Sequence, residues 1–102
     1  MWWSYTTRIV ALETDSIGVY ELGDKSKNTV YYGKGKIKTR LLAHLNKKEC
    51  PLARYYRFEL LTTEVECKEK ERELLEAYLR IHGKLPMYNQ KKANPFVGSL
   101  PS

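Results

Sequence analysis

Two segments with the composition of β-strands follow each other closely in the first third of the chain, and this pairing constrains the fold most. The segments IGVYELG and NTVYYG are rich in Val, Tyr and Thr, and only the four polar residues DKSK separate them. A short polar connection between two such runs predicts an antiparallel hairpin. With a four-residue loop, Tyr20 lies directly opposite Tyr31, and both side chains project from the same face of the sheet. Because a slip of one residue would break that arrangement, this register is a prediction.

The hydrophobic period changes after the second segment, which indicates a helix. In KIKTRLLAHLNK, residues 36–47, apolar side chains recur three and four positions apart, as they do in an amphipathic helix. The segment KKECPL breaks this helix at Pro51. Arg40 and His44 are four residues apart and therefore share one flank of the helix, beside its apolar stripe.

A third strand and a long helix complete the predicted order of elements. Alternating side chains in ARYYRFELL predict the strand. Thr63 followed by Glu66 is a capping-box signature and Gly83 is a helix stop, so we expect a helix over about residues 64–82. The order β-β-α-β-α predicts an α+β fold, with a small three-stranded antiparallel sheet flanked by helices. The preceding segment, residues 1–16, shows no clear pattern, and a short strand or a short helix over Thr7 to Glu13 fits it equally well.

The charge of the chain favours a polyanionic partner. Its 102 residues suffice for one domain with one modest core. The 18 Lys and Arg residues outnumber the 12 Asp and Glu residues, which gives a formal net charge of +6. Such a surface favours nucleic acid, because each neutralised phosphate releases counterions. An anionic membrane surface as partner, or solubility alone, is the alternative explanation of this charge.

Cysteine usage and hydropathy predict a soluble, cytoplasmic protein with no membrane partner. Cys50 and Cys67 have no second pair with which to complete a zinc site. The N-terminal MWWSYTTRIV lacks the pattern of a signal peptide. No apolar run approaches the roughly 20 residues that span a bilayer. Cys50 and Cys67 are therefore expected to be reduced thiols with a structural role.

One glutamate of the long helix lies on its apolar side. Successive residues of a helix are rotated by about 100°, which brings Cys67, Leu74, Leu75 and Tyr78 within about 60° of Glu71. Other glutamates of this helix fall on the far side, among lysines and arginines. A carboxylate that faces the core must be paired, protonated or bound to a cation. The structural alternative is a salt bridge from Glu71 to Arg40 or Arg54.

Five sequence pieces, taken in order, carry a family resemblance. They are Gly18-Val19-Tyr20, Tyr31-Tyr32-Gly33, Arg40 on the next helix, ERELLEAY and LPMYN. Together they resemble the GIY-YIG nuclease domain, over about residues 17–89. We therefore expect a single GIY-YIG-like domain over residues 1–102, in which 1–16 and 90–102 are flanking extensions.

The resemblance implies a metal-dependent endonuclease that hydrolyses phosphodiester bonds in DNA. In that family pattern Tyr20 and Tyr31 line the cleft, Arg40 is the catalytic arginine, and Glu71 holds one divalent cation, Mg²⁺ or Mn²⁺. Tyr20 is the first candidate for orienting or deprotonating the attacking water. His44 is the second candidate, on chemical grounds. Glu76 is the runner-up for the metal ligand.

Further residues are candidates for contact with nucleic acid. Lys34, Lys36 and Lys38 precede Arg40 and suit a phosphate backbone, and Asn89 belongs to the closing LPMYN segment. The sequence departs from the family pattern in KGKIKT, which lacks the usual hydroxyl residue and asparagine and brings Arg40 one residue closer to Gly33. This departure concerns the shape of the loop and its substrate contacts.

Each candidate also has a simpler structural explanation. Tyr20 and Tyr31 can form an ordinary cross-strand aromatic pair, and Gly33 can simply close its strand. His44 can be a half-buried helix residue and Asn89 a turn residue. The three lysines can be a solvated loop.

Two other classes of function compete with the nuclease. The first is a non-catalytic, basic nucleic-acid-binding module in which Glu71 forms a structural ion pair. The second is a protein-interaction module that uses Trp2, Trp3 and the aromatic strands; its binding would be insensitive to salt, whereas nucleic-acid binding weakens steeply as salt rises. For the nuclease, we expect weak sequence selectivity, or selectivity supplied by a partner protein or by branched DNA. The sequence leaves the oligomeric state open.

Overall fold

A four-stranded antiparallel sheet forms the centre of the computed structural model, which describes residues 1–92. The strands are β1 (Trp3–Ser4), β2 (Ile17–Gly23), β3 (Thr29–Lys36) and β4 (Tyr55–Leu60), in the order β1-β4-β2-β3. The sequence predicted β2, β3 and β4 but not β1, which pairs with β4 at one edge of the sheet. A strand of two residues is too short to show an alternating pattern. Residues 93–102, most of the expected C-terminal extension, lie outside the described residues.

The β2–β3 hairpin forms as predicted, but its register differs by two residues. Tyr20 pairs with Gly33 and Leu22 pairs with Tyr31, so the prediction that the two tyrosines lie directly opposite each other is wrong. The difference arises at the turn, where Lys27 has a φ of 65° and a β-bulge interrupts the pairing beside Leu22. Because side chains alternate with a period of two, a shift of two residues keeps both tyrosines on the same face.

Four helices accompany the sheet in the described part of the chain. They are α1 (Thr7–Val10), α2 (Ile37–Lys47), α3 (Glu64–His82) and α4 (Asn89–Lys92). The capping box predicted for α3 is present, and the helix ends at Gly83 with a φ of 76°. The helix α2 ends earlier than the predicted break at Pro51, because Lys48 adopts a left-handed conformation with a φ of 53°. None of these helices is both long and apolar enough to cross a membrane.

The two long helices pack on opposite faces of the sheet. On one face, strand residues form a buried cluster with α1, α2 and Tyr5; its members include Val10, Tyr20, Leu22, Tyr31, Ile37, Leu41 and Tyr56. On the other face, the ring of Tyr32 meets Tyr78 of α3 at a centroid distance of 6.4 Å. Successive residues of a strand point to opposite sides, so adjacent Tyr31 and Tyr32 place the two helices on different layers. The fold is α+β, as predicted.

Candidate functional site

The hydroxyl of Tyr20 on β2 is hydrogen-bonded to His44 on α2. The distance from Tyr20 Oη to His44 Nε2 is 2.7 Å, and each residue is only 2% exposed. The contact forms because Tyr20 projects from the face of the sheet against which α2 packs. A buried phenol and a buried imidazole each need a polar partner, and here each supplies the partner of the other.

Tyr31 completes a cluster of three aromatic rings. Its ring centroid lies 6.0 Å from that of Tyr20 and 5.0 Å from that of His44, edge to face. The three side chains come from β2, β3 and α2. The structure therefore brings together two tyrosines and a histidine that sequence analysis singled out separately.

Two glycines of the strands allow close approaches that a side chain would prevent. A Cβ at Gly33 would overlap Cζ and Oη of Tyr20, because the Tyr20 ring lies directly over Gly33 on the neighbouring strand. A Cβ at Gly18 would overlap the carbonyl oxygen of Glu59 on β4. Gly33 thus does more than close its strand: it provides the space in which the Tyr20 hydroxyl reaches His44.

Arg40 lies one helical turn before His44 and acts on both tyrosines electrostatically. Its aliphatic part packs against Gly35, where a Cβ would lie 3.0 Å from Arg40 Cγ. Burial is the largest effect on Tyr20 and raises its pKa well above the ordinary value, while the positive charge of Arg40 opposes this shift. Burial alone would lower the pKa of Arg40, but its interactions with Tyr20, Tyr31 and Glu49 together outweigh burial and raise this pKa. The guanidinium therefore remains charged beside the tyrosine hydroxyls.

Glu71 of α3 is half-buried, as its position on the helical wheel predicted. Burial raises the pKa of its carboxyl group above the ordinary value, and the positive charge of Lys34 partly offsets this. Burial and the negative charge of Glu71 together raise the pKa of Tyr31 to about 12, against the effect of Arg40. The Glu71 carboxylate thus lies near enough to the aromatic cluster for its charge to act there.

Glu71 takes part in none of the ion pairs found among the described residues. They join His44 to Glu49, Arg57 to Glu21, Lys70 to Glu59 and Arg72 to Glu76. Arg54, one expected partner, instead donates hydrogen bonds to the carbonyl groups of Pro51 and Ala53. Glu76, the alternative metal ligand, is exposed and pairs with Arg72 one turn earlier. Of the two glutamates, Glu71 alone is a half-buried carboxylate outside these pairs.

A metal ion at this site would have one carboxylate ligand. Within residues 1–92 no group of three or more His, Cys, Asp or Glu side chains is arranged to hold a metal. This donor set does not suit Zn²⁺, which takes three or four protein ligands. It suits Mg²⁺, a hard cation that usually keeps several waters and takes one or two carboxylates.

Glu49 is part of the site, and sequence analysis missed it. Its Oε1 lies 2.7 Å from Nδ1 of His44, on the opposite side of the ring from Tyr20. The contact depends on the left-handed Lys48, which ends α2 and turns the chain so that the amide of Glu49 reaches the carbonyl group of His44 at 3.2 Å. A spacing of five residues does not place two side chains on one face of a helix, so the sequence held no signal for this pair.

The remaining candidates divide into surface and structural residues. Lys34 and Lys36 are exposed and Lys38 is partly exposed, and Lys34 is the one whose charge acts on Glu71. The side chain of Asn89 is buried and bonds to the backbone of Tyr32 twice: Oδ1 accepts from the amide at 2.8 Å and Nδ2 donates to the carbonyl group at 2.9 Å. These bonds hold the start of α4 against β3, and a contact of Asn89 with nucleic acid stays a prediction.

Solved structures with a similar fold are GIY-YIG endonuclease domains. Three of them are the N-terminal domain of UvrC from Thermotoga maritima: one bound to its catalytic cation, magnesium, and two point mutants, asparagine to alanine and tyrosine to phenylalanine, bound to the catalytic divalent cation. Each has a TM-score of 0.64 and 24% identity; the alignments cover 79% of this chain and 90–91% of the other. At this identity the likeness shows the fold, which is GIY-YIG-like as the sequence resemblance implied.

A family model provides the second comparison. Residues 1–80 match the model described as a domain of unknown function, DUF7508. No curated protein matches the chain. The matched segment contains both tyrosines, Arg40, His44, Glu49 and Glu71. The chain therefore belongs to the DUF7508 family, and its fold is that of the GIY-YIG endonuclease domains.

Proposed function

We propose that this protein is a metal-dependent endonuclease that hydrolyses phosphodiester bonds in DNA. The observation that carries the proposal is the convergence of a tyrosine hydroxyl, a guanidinium and a half-buried carboxylate, from Tyr20, Arg40 and Glu71. The charge of Arg40 acts on Tyr20 and on Tyr31, and the charge of Glu71 acts on Tyr31, although these four residues come from four separate elements. The GIY-YIG-like fold and the cation bound by its structural neighbours support the same function.

Phosphodiester hydrolysis needs three contributions, and the site has a candidate for each. A water must be oriented and deprotonated, the charge that develops on the phosphate must be stabilised, and the leaving oxygen must be assisted. Tyr20 is assigned the water, because its hydroxyl lies 2.7 Å from Nε2 of His44, a group that can exchange a proton with it. Arg40 is assigned the phosphate, because a guanidinium offers a planar set of donors that matches phosphate oxygens.

Glu71 is assigned the divalent cation, Mg²⁺ or Mn²⁺. Three observations fit this role: its half-buried position, its raised pKa, and its place outside the ion pairs of the described residues. When bound, such a cation supplies positive charge that stabilises the phosphate and the leaving oxygen. The protein contributes the single carboxylate, and water supplies the other ligands.

The basic segment before Arg40 is assigned to the DNA backbone. Lys34 and Lys36 are exposed, and Lys38 lies in the first turn of α2. Lysine contacts to phosphate position a nucleic acid without reading its sequence. We therefore expect binding with little sequence preference, and with the strong salt dependence that phosphate contacts produce.

Nicking of supercoiled plasmid by the purified protein, with Mg²⁺ or Mn²⁺, tests the proposal. We expect nicking by the wild type, and its loss in Glu71→Gln and Arg40→Ala. Glu73→Gln is the matched control, because Glu73 is an exposed glutamate on the same helix, and it should nick like the wild type. Circular dichroism and binding to labelled DNA, measured on every variant, separate lost chemistry from lost folding or lost affinity.

The negative outcomes distinguish the alternatives. A folded protein that binds DNA but cleaves neither plasmid nor branched DNA with either metal would be a nucleic-acid-binding module, and the nuclease proposal would be wrong. Cleavage of labelled RNA but not DNA would contradict the assignment of the substrate. Cleavage that persists in Glu71→Gln would contradict the role given to this residue.

A further inference from the structure

A chain of two short contacts runs through the buried ring of His44. Glu49 Oε1 lies 2.7 Å from Nδ1 on one side, and Tyr20 Oη lies 2.7 Å from Nε2 on the other. The imidazole is almost fully buried, whereas the Glu49 side chain is 35% exposed. The partly exposed carboxylate of Glu49 is thus linked to the buried hydroxyl of Tyr20 through the imidazole ring of His44.

The chemistry of the three groups determines where the protons lie. An ionised carboxylate has only acceptors, so the hydrogen between Glu49 and His44 must be on Nδ1. Neutral imidazole then has its lone pair on Nε2, and the Tyr20 hydroxyl must be the donor in the second contact. With the opposite tautomer, Tyr20 Oη would accept from Nε2, whereas Nδ1 and the ionised Glu49 carboxylate would both be acceptors and their contact would be lost.

We propose that Glu49 is a positioning residue, which holds His44 in the tautomer that accepts a proton from Tyr20. Its catalytic consequence rests on the proposed nuclease function. When water attacks the phosphorus, its proton moves to Tyr20 Oη while the proton of Tyr20 moves to His44 Nε2. The electron pair of the broken O–H bond stays on the attacking oxygen and forms the new bond to phosphorus. The bond from phosphorus to the leaving oxygen breaks, and the leaving oxygen keeps that electron pair and takes a proton from solvent. His44 becomes an imidazolium, and its charge lies against the Glu49 carboxylate.

Burial of Tyr20 makes such a partner necessary. Desolvation raises the pKa of its hydroxyl, so the free tyrosinate is strongly disfavoured at neutral pH. A proton that leaves Tyr20 for His44 as another arrives from water avoids forming that anion. Elsewhere, a carboxylate that orients a functional histidine is worth roughly 10–100-fold in activity.

The tautomer of His44 is measured by ¹⁵N NMR in the metal-free protein, without DNA. We expect Nδ1 to carry the hydrogen and Nε2 to show the chemical shift of an unprotonated nitrogen in the wild type. In Glu49→Ala we expect a shift toward the tautomer with hydrogen on Nε2. A wild-type ring that already carries hydrogen on Nε2, or a spectrum unchanged in Glu49→Ala, would overturn the proposal.

The kinetic test uses plasmid nicking by Glu49→Ala and Glu49→Gln. We expect kcat to fall about 10–100-fold in Glu49→Ala while KM for DNA stays the same. Glu49→Gln keeps an acceptor oxygen without the charge, so it should partly restore the wild-type tautomer and part of kcat. Glu69→Ala, an exposed glutamate on α3, is the matched control. A wild-type kcat in Glu49→Ala would also overturn the proposal.

The two tests keep this proposal separate from the nuclease proposal. A wild type that never nicks DNA contradicts the nuclease function, whereas the tautomer is measured without any reaction. A wild type that nicks DNA but has the wrong tautomer contradicts only the role of Glu49. Circular dichroism and amide spectra of both Glu49 variants establish that they are folded.

Discussion

The ring of Tyr20 lies directly over Gly33, its partner on the neighbouring strand. No other residue type leaves room for the ring, because a Cβ at position 33 would overlap both Cζ and the hydroxyl oxygen. Tyr20 is fully enclosed by the core and cannot simply move aside. The geometry of the site therefore depends on a residue that contributes no chemistry of its own.

Gly33→Ala should destabilise the fold by about 1–3 kcal/mol, as overpacking in a core usually does, and should abolish plasmid nicking. Gly83→Ala is the matched control. It introduces strain at a φ of 76° where nothing lies within 4 Å, at a cost of roughly 1–2 kcal/mol. Urea unfolding should therefore show a loss in both variants, whereas nicking should be lost only in Gly33→Ala. Wild-type nicking by Gly33→Ala would contradict the importance of the Tyr20 position.

Tyr20→Phe should lower nicking by about 10²–10⁴-fold, the range expected when a general acid or base is removed. It should also cost about 0.5–1.5 kcal/mol of stability, because the buried hydrogen bond between Tyr20 and His44 is lost. Tyr56→Phe tests whether any buried tyrosine hydroxyl matters equally, since Tyr56 is fully buried and its hydroxyl donates to Glu13. This variant should be destabilised but should nick normally, and an equal loss of nicking in both variants would refute the specific role of Tyr20.

Glu71→Gln should raise the stability of the metal-free protein at neutral pH. Burial raises the pKa of this carboxyl above its ordinary 4.5, so the folded state favours the protonated form. Its contribution to stability is present below pH 4.5 and is lost as the pH rises through the raised pKa. Thermal unfolding with a chelator should therefore show a higher midpoint for Glu71→Gln than for the wild type at pH 7, and no such gain below pH 4. A midpoint at pH 7 equal to that of Glu73→Gln would count against the burial of this charge.

Asp15→Asn should lower stability, with the opposite dependence on pH. The carboxylate of Asp15 accepts hydrogen bonds from the amide and the hydroxyl of Thr39 at 2.8 Å each, near the start of α2. These bonds hold its pKa below the ordinary 3.8. Its contribution is therefore present above pH 3.8 and disappears as the pH falls through the lowered pKa. The difference in unfolding midpoint from the wild type should be full at pH 7 and should shrink in acid; a difference that stays constant down to pH 2 would contradict this.

Asn89→Ala should destabilise the protein by about 1–3 kcal/mol, because it leaves the amide and carbonyl groups of Tyr32 without their side-chain partner. Affinity for DNA, measured under conditions where the variant is folded, should not change. Gln90→Ala is the matched control, because Gln90 is exposed and its side chain makes one hydrogen bond, to Leu85. A loss of DNA affinity without a loss of stability would restore the role in binding predicted from sequence.

Local sequence patterns were sufficient to predict features that depend on a single helix. The capping box at Thr63 and the helix stop at Gly83 predicted both ends of α3, and the structure confirms them. The position of Glu71 on the apolar side of that helix also followed from spacing alone, because a helix has a fixed rotation per residue. Arg40 and His44 could be placed on one flank of α2 for the same reason.

Contacts between different elements were harder to predict from the sequence. The register of the hairpin was predicted two residues away from the observed one, because a bulge beside Leu22 and a left-handed Lys27 leave no clear mark in the sequence. The contact of Glu49 with His44 depends on one backbone conformation, that of Lys48. The edge strand β1 is too short to show any period.

The sequence by itself determined the three longer strands, the two long helices, the faces of these elements, and the residue types needed for phosphate chemistry. Periodicity, caps and turn residues act over a few positions, so they can be recognised in the sequence without a structure. Only the tertiary structure decided that Tyr20 is hydrogen-bonded to His44, that Glu49 contacts the other nitrogen of that ring, and that Glu71 lies outside the ion pairs of the described residues. Those relationships are established only when the chain turns at the end of α2 and the sheet and the two helices pack together.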